Sequence, residues 1–128
     1  MRLTNYEMAR RIGQLEQLLD RADLIGYAAA RNTRVLSQAC GEYMQMQDRL
    51  ICELGVPDTD EDGRETGAVR LDFDSPNFAE FRKAMDEIAP IESDVELFSL
   101  PEGEAVGKLS GRQLLDLGWM FEEDGKEI

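Results

Sequence analysis

Histidine is absent from this 128-residue sequence, and cysteine occurs only twice. Without histidine the chain lacks the commonest general base, the commonest metal ligand and every serine–histidine or cysteine–histidine pair used in nucleophilic catalysis. An enzymatic site would have to rely on carboxylates, and no two carboxylates stand at a spacing that indicates one. We therefore predict that the protein is not an enzyme and that it uses no cofactor.

The two cysteines are predicted to be apolar core residues that do not form a disulfide. Cys40 and Cys52 lie 12 positions apart in what reads as one helix, so their Cα atoms would be about 18 Å apart at a rise of 1.5 Å per residue. A disulfide requires Cα atoms within about 7 Å of each other.

Long apolar runs are also absent. None approaches the roughly 18 residues that a membrane-spanning helix needs. The first residues, MRLTNYEMARR, lack the apolar core of a secretory signal. We therefore expect no membrane association and a cytoplasmic location.

Charge is distributed unevenly along the chain. Residues 1–55 carry 7 basic residues, all arginine, and 7 acidic ones, whereas residues 56–128 carry 7 basic and 20 acidic residues and so the whole net charge of −13. This acidity argues against direct nucleic-acid binding, which requires basic groups to neutralise phosphates. It permits docking on a basic partner surface, although acidity often serves only solubility. We predict a single domain, 1–128, with a neutral helical part and an acidic part.

Two helices are predicted in the neutral part. Thr4 followed by Glu7 has the pattern of a capping box, and apolar residues at spacings of three and four predict a helix over residues 5–21. Asp23 is a suitable cap for a second helix that would end at Leu54, before a glycine and a proline.

The second helix would be about 46 Å long and would form an antiparallel hairpin with the first. It would then leave roughly 20 Å of its apolar stripe uncovered by its neighbour. A break at Gly41 is the alternative, because glycine is a poor helix former.

In the acidic part, the sequence pattern predicts a strand, a helix, a second strand and a last helix. Val69, Leu71 and Phe73 alternate with charged residues in AVRLDFD, SDVELFSL reads as the second strand, and Ser75-Pro76 opens the helix between them. A further capping-box pattern in SGRQ starts the last helix, through RQLLDLGWMFEE. The fold class is α+β, mostly helical: a helical hairpin plus a small two-stranded sheet with two further helices. The strand direction stays open.

The stretch DTDEDG, Asp58–Gly63, matches the first half of an EF-hand calcium loop. Position 12 of such a loop would be Val69, where calcium requires a bidentate glutamate, and a strand follows where the motif requires a helix. We interpret the stretch as a solvated turn, because Asp-Gly is a strong turn dipeptide. No metal ligand is therefore predicted.

The last helix carries apolar residues on more than one side, with Leu115, Trp119 and Met120 pointing in different directions. It is either wedged between the hairpin and the sheet or part of a protein interface with Trp119 as an aromatic anchor. The uncovered stripe of the long helix would contribute further candidate interface residues: Tyr43, Met46 and Leu50. A two-fold homodimer would cover such surfaces with one patch from each subunit.

The order of elements resembles a family of small acidic phage proteins. The resemblance rests on a capped first helix followed by YAAARNTRVL, DEDG, NFAEFRKAMDEI, IESDVELFSL and LSGRQLLDLGWMFEE. These features are similar to an uncharacterised family encoded in phages and prophages of Gram-positive bacteria. The resemblance implies no known enzymatic activity, no site residues and a place among phage structural or accessory proteins in a bacterial host cell.

Two functions from different classes remain. The first is a phage structural or assembly accessory that binds a protein partner or itself. The second is an acidic inhibitor that occupies a basic nucleic-acid-binding surface of a host protein. Many carboxylates crowd a loop and the end of the chain instead of forming phosphate-like rows, which favours the accessory function.

Overall fold

The computed structural model describes residues 1–122. In that part of the chain the α+β, mostly helical class is confirmed. The helices are α1 (Asn5–Leu15), α2 (Leu24–Ala39), α3 (Gly41–Leu54), α4 (Phe78–Ile88) and α5 (Gly111–Leu117). The strands are β1 (Arg2–Thr4), β2 (Val56–Thr59), β3 (Glu65–Arg70), β4 (Glu92–Asp94), β5 (Leu100–Pro101) and β6 (Phe121–Glu122).

The chain divides into two compact units. Unit 1 consists of Met1–Cys40 together with Glu92–Ile128, and unit 2 consists of Gly41–Ile91. This division differs from the predicted parts, which met at residue 55. Unit 2 takes α3 from the neutral part, and unit 1 combines residues 1–40 with the described residues that follow Ile91.

Short-range capping starts three helices where the sequence predicts. The Thr4 hydroxyl accepts from the Glu7 amide at 3.0 Å, and the Asp23 carboxylate accepts from the Gly26 amide at 3.1 Å. Ser110 and Gln113 form a complete capping box. α1 ends earlier than predicted, because the chain tightens into a 3₁₀ turn over Glu16–Leu18.

The predicted continuous helix from 24 to 54 is wrong, and the alternative break at Gly41 is found. α2 ends at Ala39, Cys40 leaves helical geometry with φ −113° and ψ 23°, and α3 begins at Gly41. The overhanging apolar stripe therefore does not exist, and it no longer supports an interface. Cys40 is buried as predicted, but Cys52 is exposed, so its prediction as a core residue is wrong.

The strand pairing also differs from the prediction. The predicted strands around Val69 and Val95 do not pair with each other: β3 forms an antiparallel hairpin with β2, and β4 pairs antiparallel with β1. β5 pairs in parallel with β6. β2 has little apolar alternation and contains Pro57. Its sequence pattern therefore does not predict a strand.

Helices α4 and α5 are shorter than predicted. α4 begins at Phe78 with Asn77 as its N-cap, because Ser75 lies in a preceding turn and not at the cap. α5 ends at Leu117 and continues as a 3₁₀ turn, Gly118–Met120, into β6. The predicted end of the last helix, Glu123, lies outside the described residues.

Within residues 1–122, Asn32 is a fully buried polar side chain in the core of unit 1. Its amide nitrogen donates to the Phe98 carbonyl at 3.0 Å, and the Phe98 amide donates to its oxygen at 2.7 Å. Both polar groups of the Asn32 amide are thus used, which offsets the cost of burying them. The contact fixes the segment between β4 and β5 against α2.

None of the helices described in residues 1–122 is both long and apolar enough to cross a membrane.

Candidate protein-interaction surface

Leu115 is the most exposed large aliphatic side chain on a helix of unit 1. It lies on α5 and is 87% exposed, and its neighbour Leu114 is 37% exposed. The Ser110 capping box fixes the start of this seven-residue helix, so Leu115 is held on the surface by a defined turn. Arg112 and Asp116 place charges of both signs on the same helix.

Trp119 follows α5 and is half-buried against α1. Its indole nitrogen donates to the Gln14 side-chain oxygen at 3.0 Å. The Arg11 guanidinium lies over the ring, 4.6 Å from its centroid, a cation–π arrangement. These two contacts hold the indole in one orientation, which lowers the entropy that a binding partner would have to remove.

A cleft of about 230 Å³ lies beside the indole and is lined by Glu7, Arg10, Arg11, Gln14 and Trp119. Burial lowers the pKa of Arg11, and the nearby charge of Glu7 partly reverses that effect. The residues that line this cleft and Leu115, four positions before Trp119 in the sequence, are together called the Trp119 face below. It combines an apolar edge with charges of both signs.

The structure does not bring the six predicted interface residues together. Leu115 and Trp119 lie on the Trp119 face, but Met120 is fully buried. The 3₁₀ turn at Gly118–Met120 carries Met120 into the core of unit 1, so we withdraw it from the candidate surface.

The other three candidates belong to unit 2. Tyr43 is buried, and Met46 and Leu50 are half-buried on α3. For the monomer, Tyr43 is a core residue, and the two half-buried residues offer little open surface.

Sequence reasoning missed an aromatic surface on unit 2. Phe73 was expected on the buried face of a strand, but it follows β3 in a turn and is 82% exposed. It contacts Phe78, which in turn neighbours Phe81. The aspartates on both sides of Phe73 are the signal that could have indicated an exposed turn.

The DTDEDG stretch forms the tip of the β2–β3 hairpin. The Asp60 carboxylate accepts from the amides of Asp62 and Arg64 at 3.0 and 2.9 Å. The Gly63 amide donates to the Asp60 carbonyl at 3.0 Å, and Gly63 has φ +81°, which favours glycine. The turn interpretation is therefore confirmed. Within residues 1–122 no group of three or more cysteine, aspartate or glutamate side chains is arranged to hold a metal ion.

A second, polar cleft of unit 1 encloses about 490 Å³ and is lined by Arg31, Glu96, Leu97, Phe98, Ser99 and Glu122. The Arg31 guanidinium lies 4.9 Å from the Phe98 ring centroid. One guanidinium and two carboxylates give this cleft no dominant charge, so it does not indicate a particular ionic ligand.

No known protein-family model matches the chain, and neither a characterised protein sequence nor a solved structure is detectably similar to it.

Proposed function

We propose that this chain is a non-enzymatic structural or assembly accessory protein of phage or prophage type, which acts in the cytoplasm of a bacterial host cell through protein–protein contact. Its first partner is a second copy of itself, in a homodimer. The observation that carries the proposal is Leu115, which is 87% exposed and precedes the half-buried Trp119 by four positions in the sequence. Burial of apolar surface is the main driving force of protein association, and aromatic residues are enriched at interface centres.

The charges of the Trp119 face favour a second copy as the occupant. In a two-fold contact the same patch lies on both subunits and must be complementary to itself. Glu7 and Arg10 line the cleft, and Asp116 and Arg112 flank Leu115 on α5. Each subunit therefore offers cations and anions that its partner's copy of the same patch can pair.

The acidic charge supports a protein partner over a nucleic acid. With 27 acidic and 14 basic residues, the chain would repel phosphates on average. The resemblance of its element order to small phage proteins supports the accessory role.

The acidic inhibitor is the second candidate, because exposed carboxylates crowd the β2–β3 hairpin. A mimic of DNA must keep its carboxylates available, but Asp60 accepts two backbone amides and Asp58 lies 3.8 Å from Arg70. Two carboxylates of this hairpin are therefore already engaged within the chain, which weakens the inhibitor proposal. Displacement of DNA from basic host DNA-binding proteins, with strong dependence on salt, would promote the inhibitor above the accessory.

Sedimentation velocity at micromolar concentration tests self-association. We expect a species near twice the chain mass of 14.5 kDa, and we expect Leu115→Gln to weaken the dimer by about tenfold or more, as for a central interface residue. Glutamine is a good helix former, so α5 should persist.

Val106→Gln is the matched control, because Val106 is also an exposed aliphatic residue of unit 1 but lies outside α5 and does not line the cleft. It should leave the dimer unchanged. A single species near 14.5 kDa for the unaltered protein would rule out self-association at these concentrations.

A further inference from the structure

Phe73 is the most exposed aromatic side chain in the described part of the chain, at 82%. Phenylalanine has no polar group to hydrogen-bond with water, so its hydration is unfavourable. An isolated apolar residue on a surface is ordinary, whereas a contiguous apolar patch indicates a binding site. The neighbours of Phe73 therefore decide what it signifies.

The turn that carries Phe73 is closed by hydrogen bonds on both sides of the residue. The Asp72 amide donates to the Ser75 hydroxyl at 3.1 Å, and that hydroxyl donates to the Asp72 carboxylate at 3.1 Å. The Ser75 amide donates to the Asp72 carbonyl at 2.9 Å, and the Asp74 amide donates to the Asp72 carboxylate at 3.2 Å. Phe73 is thus presented by a closed turn.

Phe73 belongs to a row of three rings, called the phenylalanine row below. The centroids of Phe73 and Phe78 are 4.8 Å apart, and those of Phe78 and Phe81 are 6.2 Å apart. Both distances lie in the range of interacting aromatic pairs. Phe78 and Phe81 are half-buried on α4, so they support Phe73 and extend its apolar surface along the helix.

The charge around the row is predominantly negative. Unit 2 has 5 basic and 13 acidic residues, a net charge of −8. Asp72 is paired with Arg70 at 2.6 Å, and Arg82 lies 3.8 Å from Asp86. Asp74 and Glu80, beside the first two rings in the sequence, are exposed. On α4, Lys83 has no carboxylate oxygen within 4.0 Å of its side-chain nitrogen among the described residues.

We propose that the phenylalanine row binds a basic amphipathic segment of another protein. The apolar face of that segment would pack on Phe73, and its lysine or arginine side chains would face Asp74 and Glu80. Charge decides the occupant: a second copy of unit 2 would bring a net −8 against −8, whereas a basic partner is attracted and correctly oriented. This mode reuses the recognition of an amphipathic helix by an apolar surface. It goes beyond self-association through the Trp119 face and does not depend on it.

The test uses the full chain and a helical peptide of leucine and lysine, about 18 residues or five turns long, with its leucines on one face. Isothermal calorimetry at physiological salt measures binding. We expect saturable one-to-one binding that Phe73→Ala weakens by about tenfold or more. A peptide with glutamate in place of lysine should not bind, and one with scattered leucines should bind at least about tenfold more weakly.

Two pairs of matched variants separate recognition from general attraction. Tyr6→Ala removes another exposed aromatic side chain, from unit 1, and should leave peptide binding unchanged. Asp74→Asn should weaken it, whereas Glu102→Gln, which removes an exposed carboxylate of unit 1, should have at most a small effect. Circular dichroism checks that each variant is folded.

Three results would overturn the proposal. The first is equal binding of the leucine-lysine peptide to the unaltered protein and to Phe73→Ala, which would show that overall charge alone drives the binding. The second is equal binding of both basic peptides. The third is loss of the dimer in Phe73→Ala during sedimentation, which would make a second copy the occupant. Leu115→Gln should leave peptide binding intact, so failure here is distinguishable from failure of the proposed homodimer.

Discussion

Units 1 and 2 differ in how much of their apolar surface they bury. Among residues 1–122, every large side chain that is fully buried belongs to unit 1: Met8, Leu15, Leu18, Ile25, Asn32, Leu36, Cys40, Leu117 and Met120. Unit 2 contributes only Tyr43, Ser75 and Met85 to the buried residues of the described chain. All six residues of its strand β3 are exposed.

The difference separates a densely packed unit from an open one. Unit 2 spans Gly41–Ile91, and a segment of this size buries a smaller fraction of its surface than a larger domain. Phe73 thus remains available for contact in unit 2, while Gln14 and Arg11 orient Trp119 in unit 1. The hydrophobic content of a segment therefore does not reveal its burial, because burial requires another surface to cover it.

The largest expected effect comes from the same substitution made in both units. Leu36→Ala opens a cavity in the core of unit 1 and should lower the free energy of unfolding by about 3 kcal/mol. Leu50→Ala removes a half-buried leucine of unit 2 and should cost about 1 kcal/mol, because water already reaches the site. Urea unfolding measures both changes.

The single tryptophan makes this comparison specific to one unit. Trp119 lies in unit 1, so its fluorescence reports unfolding there, whereas far-ultraviolet circular dichroism reports helices in both units. Leu36→Ala should move the fluorescence transition strongly, and Leu50→Ala should leave it nearly in place. Equal shifts of that transition would show that the two units unfold as one, which would contradict an independent core in unit 1.

A smaller effect is expected at the tightest packing point of unit 2. A Cβ atom on Gly55 would collide with the Ile51 carbonyl, a Val69 methyl and the Arg70 carbonyl. Gly55→Ala should therefore destabilise unit 2 by about 2 kcal/mol. Thermal unfolding followed by circular dichroism measures the change.

Gly41→Ala is the control for that experiment. A Cβ atom on Gly41, the first residue of α3, would meet no atom within 4 Å. The substitution should be neutral or stabilising by up to about 1 kcal/mol. If Gly55→Ala is equally harmless, the junction between α3 and β3 is looser than the structure indicates.

Local signals made parts of the fold predictable. The caps at Thr4, Asp23 and Ser110 depend on residues three positions apart. Such short-range contacts can be predicted from the local sequence pattern. The turn at Asp60–Gly63 follows from the same kind of short-range chemistry. The α+β class could be predicted from these elements without knowledge of their pairing.

Long-range pairing could not be predicted. In the pairing of β1 with β4, Arg2 lies opposite Asp94. No local sequence pattern predicts a partner so distant in the chain. The alternation through Phe73 predicts a half-buried strand, but β3 ends at Arg70 and Phe73 is 82% exposed. For the candidate site, Leu115 is exposed and Trp119 is half-buried, and their place in an interface stays a prediction. Burial of Met120 depends on a 3₁₀ turn that the helical period does not reveal.

Hydrogen–deuterium exchange of the full chain, at low and at high micromolar concentration, tests the two-unit account and the homodimer together. We expect the amides of α1 and α2 to exchange slowest, and those of α3 and α4 to exchange at least about tenfold faster, because less buried segments open more often. Raising the concentration should slow exchange in α5 and at Gly118–Met120, where the Trp119 face would become covered. Equal protection of the two units, with α5 unaffected by concentration, would contradict the account.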